Sequence, residues 1–274
     1  MVKLCLGSAN FGTKYGLDNK KVDKNHTSKI IDIASNNKIF SIDTSFEYFK
    51  SHDVLKKKVG KKTILNTKIF LNKDTSFISV QKKILNFNKS SNAKIYSLLL
   101  HEQKDALNIK KIKLLKRLKQ EKVINKIGVS VYDLSVLKRI LKLWTPDIIQ
   151  FPLNPFNRDF ISKSLINNLK KKKITIFVRS IFLRGILLNQ NYPLDNKFKK
   201  DLKDWFNFCK SKSIHPVKAC IDFCKSINGL DYMIIGVQDV NEFRQIIKYF
   251  NQPKNKNSKF IIKKKFKKID LRKI

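Results

Sequence analysis

Where the apolar, β-rich runs of this chain come to an end, chemically capable residues stand in series: Asp43, Lys68, His101, Ser130, Gln150, Arg179 and, as a gap in the side-chain wall, Gly236. A carboxylate, an ammonium and an imidazole are the makings of acid–base chemistry, because between them they can hold, shift and deliver a proton near neutral pH. Hydroxyl, amide and guanidinium groups beyond them offer the hydrogen bonds that orient a polar ligand. Other chemistries find less support. Cys5, Cys209, Cys220 and Cys224 form no CxxC pair and no zinc-finger spacing with histidine, so they read as buried thiols of a reducing compartment, and no metal site is expected. The first loop, Gly7-Ser8-Ala9-Asn10-Phe11-Gly12, lacks the GxGxxG spacing of an open dinucleotide-binding sheet.

Residues from many strand ends can meet only if the strands run parallel in one sheet. Short β-rich runs near Lys3–Leu6, Ile39–Asp43, Ile64–Lys68, Ile95–His101, Lys126–Val129, Ile148–Gln150, Ile174–Val178 and Tyr232–Ile235 alternate with longer amphipathic stretches, which is the pattern of a parallel α/β fold. Leu107–Lys119 is one such stretch, with Ile109, Ile112, Leu114, Leu115 and Leu118 recurring at three- and four-residue intervals among lysines. Leu134–Leu143, Ile161–Leu169 and Val240–Phe250 read likewise. The segment Asn189–Lys225 exceeds one helix and holds Pro193 and Pro216, so a long loop and two helices are expected there. No internal sequence repeat is present. Periodicity alone does not separate a closed barrel from an open sheet. Eight βα units need about 250 residues, however, and a barrel gathers its chemistry from several strand ends. The expectation is a (β/α)8 barrel over residues 1–250 and a basic tail over 251–274, ordered in part where Phe260, Ile261 and Ile262 can dock.

The net charge of +38 would by itself point to nucleic acid or another polyanion. Of the 59 basic residues, however, seven are arginine and 52 lysine, and specific phosphate and base reading favours the planar guanidinium. Abundant asparagine, isoleucine and phenylalanine fit an AT-rich coding sequence in which lysine fills exposed positions, so no specific nucleic-acid partner is expected. The clearest local cluster, Lys263 to Lys268, lies in the tail. No apolar run approaches the roughly 18 residues that span a bilayer. The N-terminus also reaches Gly7 too soon for a secretory apolar region of about 7–15 residues. A cytoplasmic protein without membrane contact, monomeric or weakly associated, is expected.

Read in order, the strand ends resemble the aldo-keto reductase family. The resemblance is carried by Leu6-Gly7-Ser8-Ala9-Asn10-Phe11-Gly12, Ile42-Asp43-Thr44-Ser45-Phe46-Glu47-Tyr48, Thr67-Lys68, Leu99-Leu100-His101, Gly128-Val129-Ser130-Val131-Tyr132 and Gln150-Phe151-Pro152-Leu153-Asn154. It continues through Arg179-Ser180-Ile181-Phe182-Leu183-Arg184-Gly185 and Ile235-Gly236-Val237-Gln238, about residues 3 to 250 in all. Each motif is weak alone; eight in register are specific. The resemblance implies a catalytic tetrad of Asp43, Tyr48, Lys68 and His101. A nicotinamide cofactor would deliver hydride to a carbonyl carbon while Tyr48 protonates the oxygen. A free tyrosine has a pKa of about 10, so Tyr48 needs the neighbouring Lys68 charge to act as an acid, and Asp43 keeps that lysine protonated. His101 would donate a hydrogen bond to the substrate carbonyl and help to fix its angle to the nicotinamide.

The resemblance further implies that Ser130 and Gln150 meet the nicotinamide carboxamide, that Arg179 stacks on the ring through its guanidinium, and that Ser180, Gly185, Gly236 and Gln238 belong to the dinucleotide site. Where members selective for NADP carry a lysine and an arginine, this chain has Gly236 and Glu242. NADP(H) is favoured slightly, with NAD(H) as the alternative and Arg244 or Lys248 as substitute phosphate ligands. The substrate expected is a small aldehyde or ketone, sugar-derived by the bacterial branch that the chain resembles most. Taken singly, Asp43 reads as a turn former, Tyr48 as a loop anchor, Lys68 as one lysine of many and His101 as a buried histidine. Their joint occurrence argues against that. The alternatives are a nicotinamide-binding barrel with a regulatory or scaffold role, and a polyanion-binding protein on the same fold.

Overall fold

The computed structural model describes residues 1–12, 22–48, 50–255, 266, 268 and 269. Eight strands alternate with helices: β1 (Lys3–Gly7), β2 (Ser41–Ser45), β3 (Ile64–Ile69), β4 (Ile95–Leu100), β5 (Lys126–Ser130), β6 (Ile148–Pro152), β7 (Thr175–Arg179) and β8 (Tyr232–Ile235). Each pairs in parallel with the next, and β8 pairs with β1, so the sheet closes into the expected (β/α)8 barrel. The helices among the described residues are α1 (Lys24–Asn36), α2 (Lys50–Lys58), α3 (Phe77–Lys89), α4 (Ile109–Gln120), α5 (Leu134–Leu143), α6 (Lys163–Lys171), α7 (Asn196–Ser211), α8 (Pro216–Lys225) and α9 (Val240–Asn251). In α4 the amphipathic pattern resolves as the spacing requires. Ile112, Leu115 and Leu118 are buried, Lys110, Lys113 and Lys116 face solvent, and the Asn108 side chain caps the Lys110 and Lys111 amides. The expected strands fall within two residues of those observed. β2 starts at Ser41 rather than Ile39 because the Ile39 amide is spent on the Ala34 carbonyl, closing α1.

Side chains alternate along a strand, so the residue two beyond an inward one also points inward. Cys5, Leu99, Ile148, Phe177 and Ile234 form a small core of their own, apart from the large apolar layer under the helices. A polar triplet joins them: Asn66 Nδ2 donates to Ser41 Oγ at 3.0 Å, Ser97 Oγ to Asn66 Oδ1 at 2.8 Å, and Ser41 Oγ to Cys5 Sγ at 3.3 Å. β5 contributes Gly128, whose missing side chain makes room: a Cβ there would stand 2.4 Å from the Ile148 carbonyl oxygen and 3.0 Å from Leu99 Cγ. Two residues further along these strands stand Gly7, Asp43, Lys68, His101, Ser130, Gln150, Arg179 and Gly236. The alternation that fills the barrel therefore also delivers the polar residues to its carboxyl-end mouth, where barrel enzymes keep their chemistry.

At the opposite end, two aspartates repeat one device. Asp147 Oδ2, just before β6, accepts from the Ile127 amide at 2.9 Å and from Lys119 Nζ at 2.7 Å. Asp231 Oδ2, just before β8, accepts from the Ile176 amide at 2.7 Å and from Lys170 Nζ at 2.8 Å. In the C-terminal region Phe266 stacks on Phe156 at 4.7 Å and meets Trp205 edge-on at 5.7 Å, and Ile269 is buried. Phe260, Ile261 and Ile262 lie outside the described residues, as does most of the Lys263–Lys268 cluster; Lys268 pairs with Asp159. The four cysteines are free and buried, and burial raises each thiol well above its ordinary pKa. Among the described residues no helix is long and apolar enough to cross a membrane.

α2 matters for the site because it follows Tyr48 directly. It is pinned by Ser51 Oγ, which donates to Ser8 Oγ at 2.7 Å, and by His52, whose Nε2 lies 3.1 Å from Thr67 Oγ1 between the Phe46 and Phe87 rings. Burial, with the Lys56 charge second, lowers the His52 pKa to about 4. Between that value and the ordinary 6.5 the unfolded chain takes up a proton that the folded chain refuses. The His52 contribution to stability is thus complete above pH 6.5 and falls as pH drops toward 4. The shift is worth on the order of 3 kcal/mol. Urea unfolding at pH 7 and pH 4.5 should show this slope in the native sequence and a shallower one in His52→Gln.

Candidate active site

Lys68 is 2% exposed and Asp43 5%, so both charges sit out of water. Lys68 Nζ donates to Asp43 Oδ2 at 2.6 Å, and Gln150 Nε2 donates to Asp43 Oδ1 at 2.8 Å, so both carboxylate oxygens are occupied. Register explains the meeting in part: Ser45 pairs with Lys68 across β2 and β3, and Ser130 with Gln150 across β5 and β6. The Lys68 ammonium also lies 5.3 Å from the centroid of the Tyr48 ring, within cation–π reach. Tyr48 stands in the turn after β2, its amide donating to the Ser45 carbonyl at 3.0 Å.

A second network faces the first across Tyr48. His101 follows β4 and is fixed by its amide, which donates to the Ile69 carbonyl at 3.0 Å. Its ring stacks on Phe70 at 4.4 Å and stands edge-on to Tyr48 at 6.1 Å. Its Nδ1 lies 3.2 Å from Ser45 Oγ and 3.4 Å from Glu47 Oε2. Ser45 Oγ donates to Glu47 Oε2, and the Phe70 amide donates to Glu47 Oε1 at 2.8 Å. Burial works against the Glu47 charge, but the bonds from His101, the Phe70 amide and Ser45 outweigh it and hold the carboxyl below its ordinary pKa. Sequence reasoning left Glu47 without a role; the signal available was an acid adjoining Tyr48 in a chain poor in acids.

The other wall of the mouth is built for hydrogen bonding. The Arg179 guanidinium lies over the Tyr132 ring at 4.0 Å, with Nε donating to Ser130 Oγ and Nη2 to the Val131 carbonyl, both at 3.4 Å. Its flat face is thus engaged by Tyr132, a neighbour that the strand-end reading did not supply. Beyond β7 the backbone turns left-handed at Ser180, Leu183, Arg184 and Gly185. The Ser180 carbonyl is secured there by Asn154 Nδ2 at 3.0 Å. Such conformations persist where surrounding structure holds them. After β8, the Gln238 amide donates to Glu242 Oε2 at 2.6 Å. The four acid–base residues and all seven residues assigned to a dinucleotide line one cavity of about 350 Å³.

Two features of the cavity wall fit a polar, elongated ligand. Asn10 donates through Nδ2 to the Val237 carbonyl, while its buried Oδ1 has no hydrogen-bond partner among the described residues, an acceptor that a ligand donor would satisfy. Beside it, a Cβ on Gly236 would meet nothing within 4 Å, so the backbone there is open to close approach. A nicotinamide dinucleotide fits this wall. Among the described residues no group of three or more histidine, cysteine, aspartate or glutamate side chains could hold a metal ion.

Comparison with known proteins agrees with this architecture. The sequence profile described as Aldo/keto reductase family matches residues 3–266. The fold superposes on the aldo-keto reductase AKR11C1 from Bacillus halodurans in its holo form at TM-score 0.75, 17% identity, over 95% of this chain and 91% of that one. For the glycerol dehydrogenase AKR11B4 from Gluconobacter oxydans the TM-score is 0.72 and the identity 16%, over 95% of this chain and 90% of that one. For an aldo-keto reductase described as putative from Pseudomonas aeruginosa the values are 0.68 and 18%, over 90% and 88%. No curated protein matches the sequence.

The buried pair sets a stability test. Asp43→Ala leaves the Lys68 ammonium buried without a counter-charge, which should cost about 3–5 kcal/mol in urea unfolding. Adding Lys68→Met removes the stranded charge, so the double variant should recover part of that loss. A double variant as unstable as the sum of the two single ones would mean that the pair is not coupled.

Proposed function

We propose, from the premise that the chain belongs to the aldo/keto reductase family, that it reduces a small aldehyde or ketone with a nicotinamide dinucleotide and that Tyr48 supplies the proton. The observation that carries this reading is the placing of Lys68 between Asp43 and the Tyr48 ring, 2.6 Å from the carboxylate oxygen and 5.3 Å from the ring centroid. A cation so close stabilises the phenolate left when the hydroxyl gives up its proton, which makes the phenol a usable acid near neutral pH. Asp43 supplies the counter-charge that water does not supply there. Gln150 occupies the other Asp43 oxygen and stops the carboxylate from turning away.

When bound, the reduced nicotinamide supplies the hydride. Ser130, Gln150 and Arg179 would meet its nicotinamide end, and Ser180, Gly185, Gly236 and Gln238 would line the rest. The open backbone at Gly236 and the unsatisfied Asn10 oxygen support that placing. NADP(H) is favoured slightly over NAD(H), but the margin is small. Gly236 brings no charge, the Glu242 carboxylate lines the cavity and occupies the Gln238 amide, and Arg244 is exposed and not part of the cavity wall. The substrate is read as sugar-derived, and the chain as a cytoplasmic enzyme acting alone or weakly associated.

Fluorescence titration should detect both dinucleotides. One missing charge-assisted contact compresses discrimination by roughly 10- to 150-fold, so a preference for NADPH above about a thousandfold would place the phosphate on other groups. The decisive variant is Tyr48→Phe, which keeps the ring and removes its only transferable proton. Cofactor affinity should hardly change, while kcat for carbonyl reduction should fall by about 10² to 10⁴ or more. If most activity survives, Tyr48 is not the acid.

A further inference from the structure

The reductase reading gives no task to the C-terminal region, where Phe266, Lys268 and Ile269 are held against the barrel. The Phe266 ring stacks on Phe156 at 4.7 Å and meets Trp205 edge-on at 5.7 Å, and Phe156 and Trp205 meet each other edge-on at 6.2 Å. Lys268 pairs with Asp159 and Ile269 is buried, so the ring is also fixed from its own side. Both aromatic partners lead to one place. Trp205 is fully buried in α7, and its Nε1 donates to the Leu187 carbonyl at 3.0 Å. The Phe156 amide donates to Asn154 Oδ1 at 2.9 Å, and Asn154 Nδ2 donates to the Ser180 carbonyl at 3.0 Å. Ser180 and Leu187 bracket the turn after β7, whose Ser180, Arg184 and Gly185 line the cavity. Ser180, Leu183 and Arg184 lie there at φ of 57°, 52° and 56°, with Gly185 at 96°. Non-glycine residues in the left-handed region persist only where their surroundings over-determine them. Within the turn the Leu183 amide donates to the Ser180 carbonyl at 2.9 Å, and the Gly185 and Leu187 amides donate to the Phe182 carbonyl at 2.9 and 3.3 Å. From outside it is held through Asn154 at one end and Trp205 at the other.

We propose that Phe266 is a positioning residue for the dinucleotide: by bracing Phe156 and Trp205 at once, it holds the left-handed turn at 180–185 in the shape that receives the cofactor. The inference rests on the reductase reading, in which Ser180 and Gly185 belong to the dinucleotide site, and it gives the C-terminal region a part in cofactor affinity. Phe266 is not part of the cavity wall, so it acts through the two rings it touches. A turn that keeps its binding shape for only a fraction of the time binds with an apparent Kd raised by the inverse of that fraction. Saturating ligand draws the turn back into that shape. Loss of the ring therefore shows in affinity and spares turnover, which separates this role from a general loss of packing.

Two measurements on the intact protein test this. Amide hydrogen exchange without ligand should speed up over residues 180–189 in Phe266→Ala, while the β5 amides stay as slow as in the native sequence. Fluorescence titration with NADPH should give an apparent Kd about tenfold weaker in Phe266→Ala, with kcat for glyceraldehyde at saturating cofactor within about twofold of native. Phe266→Tyr, which keeps the ring, should restore the native Kd. Where Phe266→Ala does not fold, Phe266→Leu fills most of the volume without the ring and carries the same readings. Unchanged exchange over 180–189 overturns the proposal without any ligand, and so does a Kd that loss of the ring leaves as it was. A Kd that Phe266→Tyr fails to restore, or a kcat that falls along with affinity, reduces Phe266 to packing and overturns it too. Binding without reduction of glyceraldehyde counts against the reductase reading alone, since exchange and Kd still decide the proposal. Faster exchange in a protein that binds neither NADPH nor NADH sinks the dinucleotide reading, and the part of Phe266 in affinity with it, while the bracing of the turn stands.

Discussion

A lysine ammonium almost wholly withdrawn from water must be met by a carboxylate or give up its charge, and the mouth of this barrel is arranged around meeting it. Asp43 provides one oxygen to Lys68 and the other to Gln150. Three strands, β2, β3 and β6, thus converge on one carboxylate. In an open sheet β2 and β6 would stand four strand spacings apart, about 19 Å, too far for any such bond. Closure brings Gln150 within 2.8 Å of Asp43 from across the interior. The hydrogen bond and the topology therefore depend on each other: Gln150 reaches Asp43 only across a closed interior, and the bond in turn ties β6 to β2.

Tyr48 stands between two such arrangements. On one side the Lys68 amine head is held by Asp43; on the other an imidazole is held by Glu47 and Ser45. The two share β3, because Lys68 sends its side chain to the first while its carbonyl accepts from the Phe46 amide at 3.0 Å, next to the Ser45 of the second. One residue thus sets the electrostatics beside the phenol and steadies the backbone next to the serine that orients the imidazole. The turn holding Tyr48 is fixed in turn by α2, through Ser51 on Ser8 and His52 on Thr67. Below it, Ser41, Asn66 and Ser97 satisfy one another, so the polar mouth rests on a polar layer that needs no water.

Most of this was legible in the sequence, for a reason that can be stated. Side chains two apart on a strand share a face, so a polar residue closing a β-rich run emerges at the mouth; Gln150 and Arg179 stand two places beyond the apolar Ile148 and Phe177, whereas Asp43 and Lys68 follow the buried polar Ser41 and Asn66. Glu47 is not legible in that way, because a turn residue has no such periodicity, and its value lies in Ser45 and in an imidazole 54 positions away. Arg179 lines the cavity at the end of its strand, but its contact with Tyr132 was not legible, since nothing in strand spacing couples those two side chains. The start of β2 was misjudged for a comparable reason. Ile39 is apolar and buried like a strand residue, yet its amide serves the preceding helix.

The aspartates at the closed end speak to how such a barrel is assembled. Asp147 ties α4 to the first amides of β5, and Asp231 ties α6 to those of β7, each standing at the head of the strand that follows. The sequence holds no repeat that would have announced the correspondence. What recurs is an arrangement of contacts: a helix lysine, a strand amide and one carboxylate from the next strand over. β5 with β6, and β7 with β8, are accordingly fastened as pairs, and the smallest portion of this half of the barrel that carries its own fastening is a pair of βα units rather than a single one.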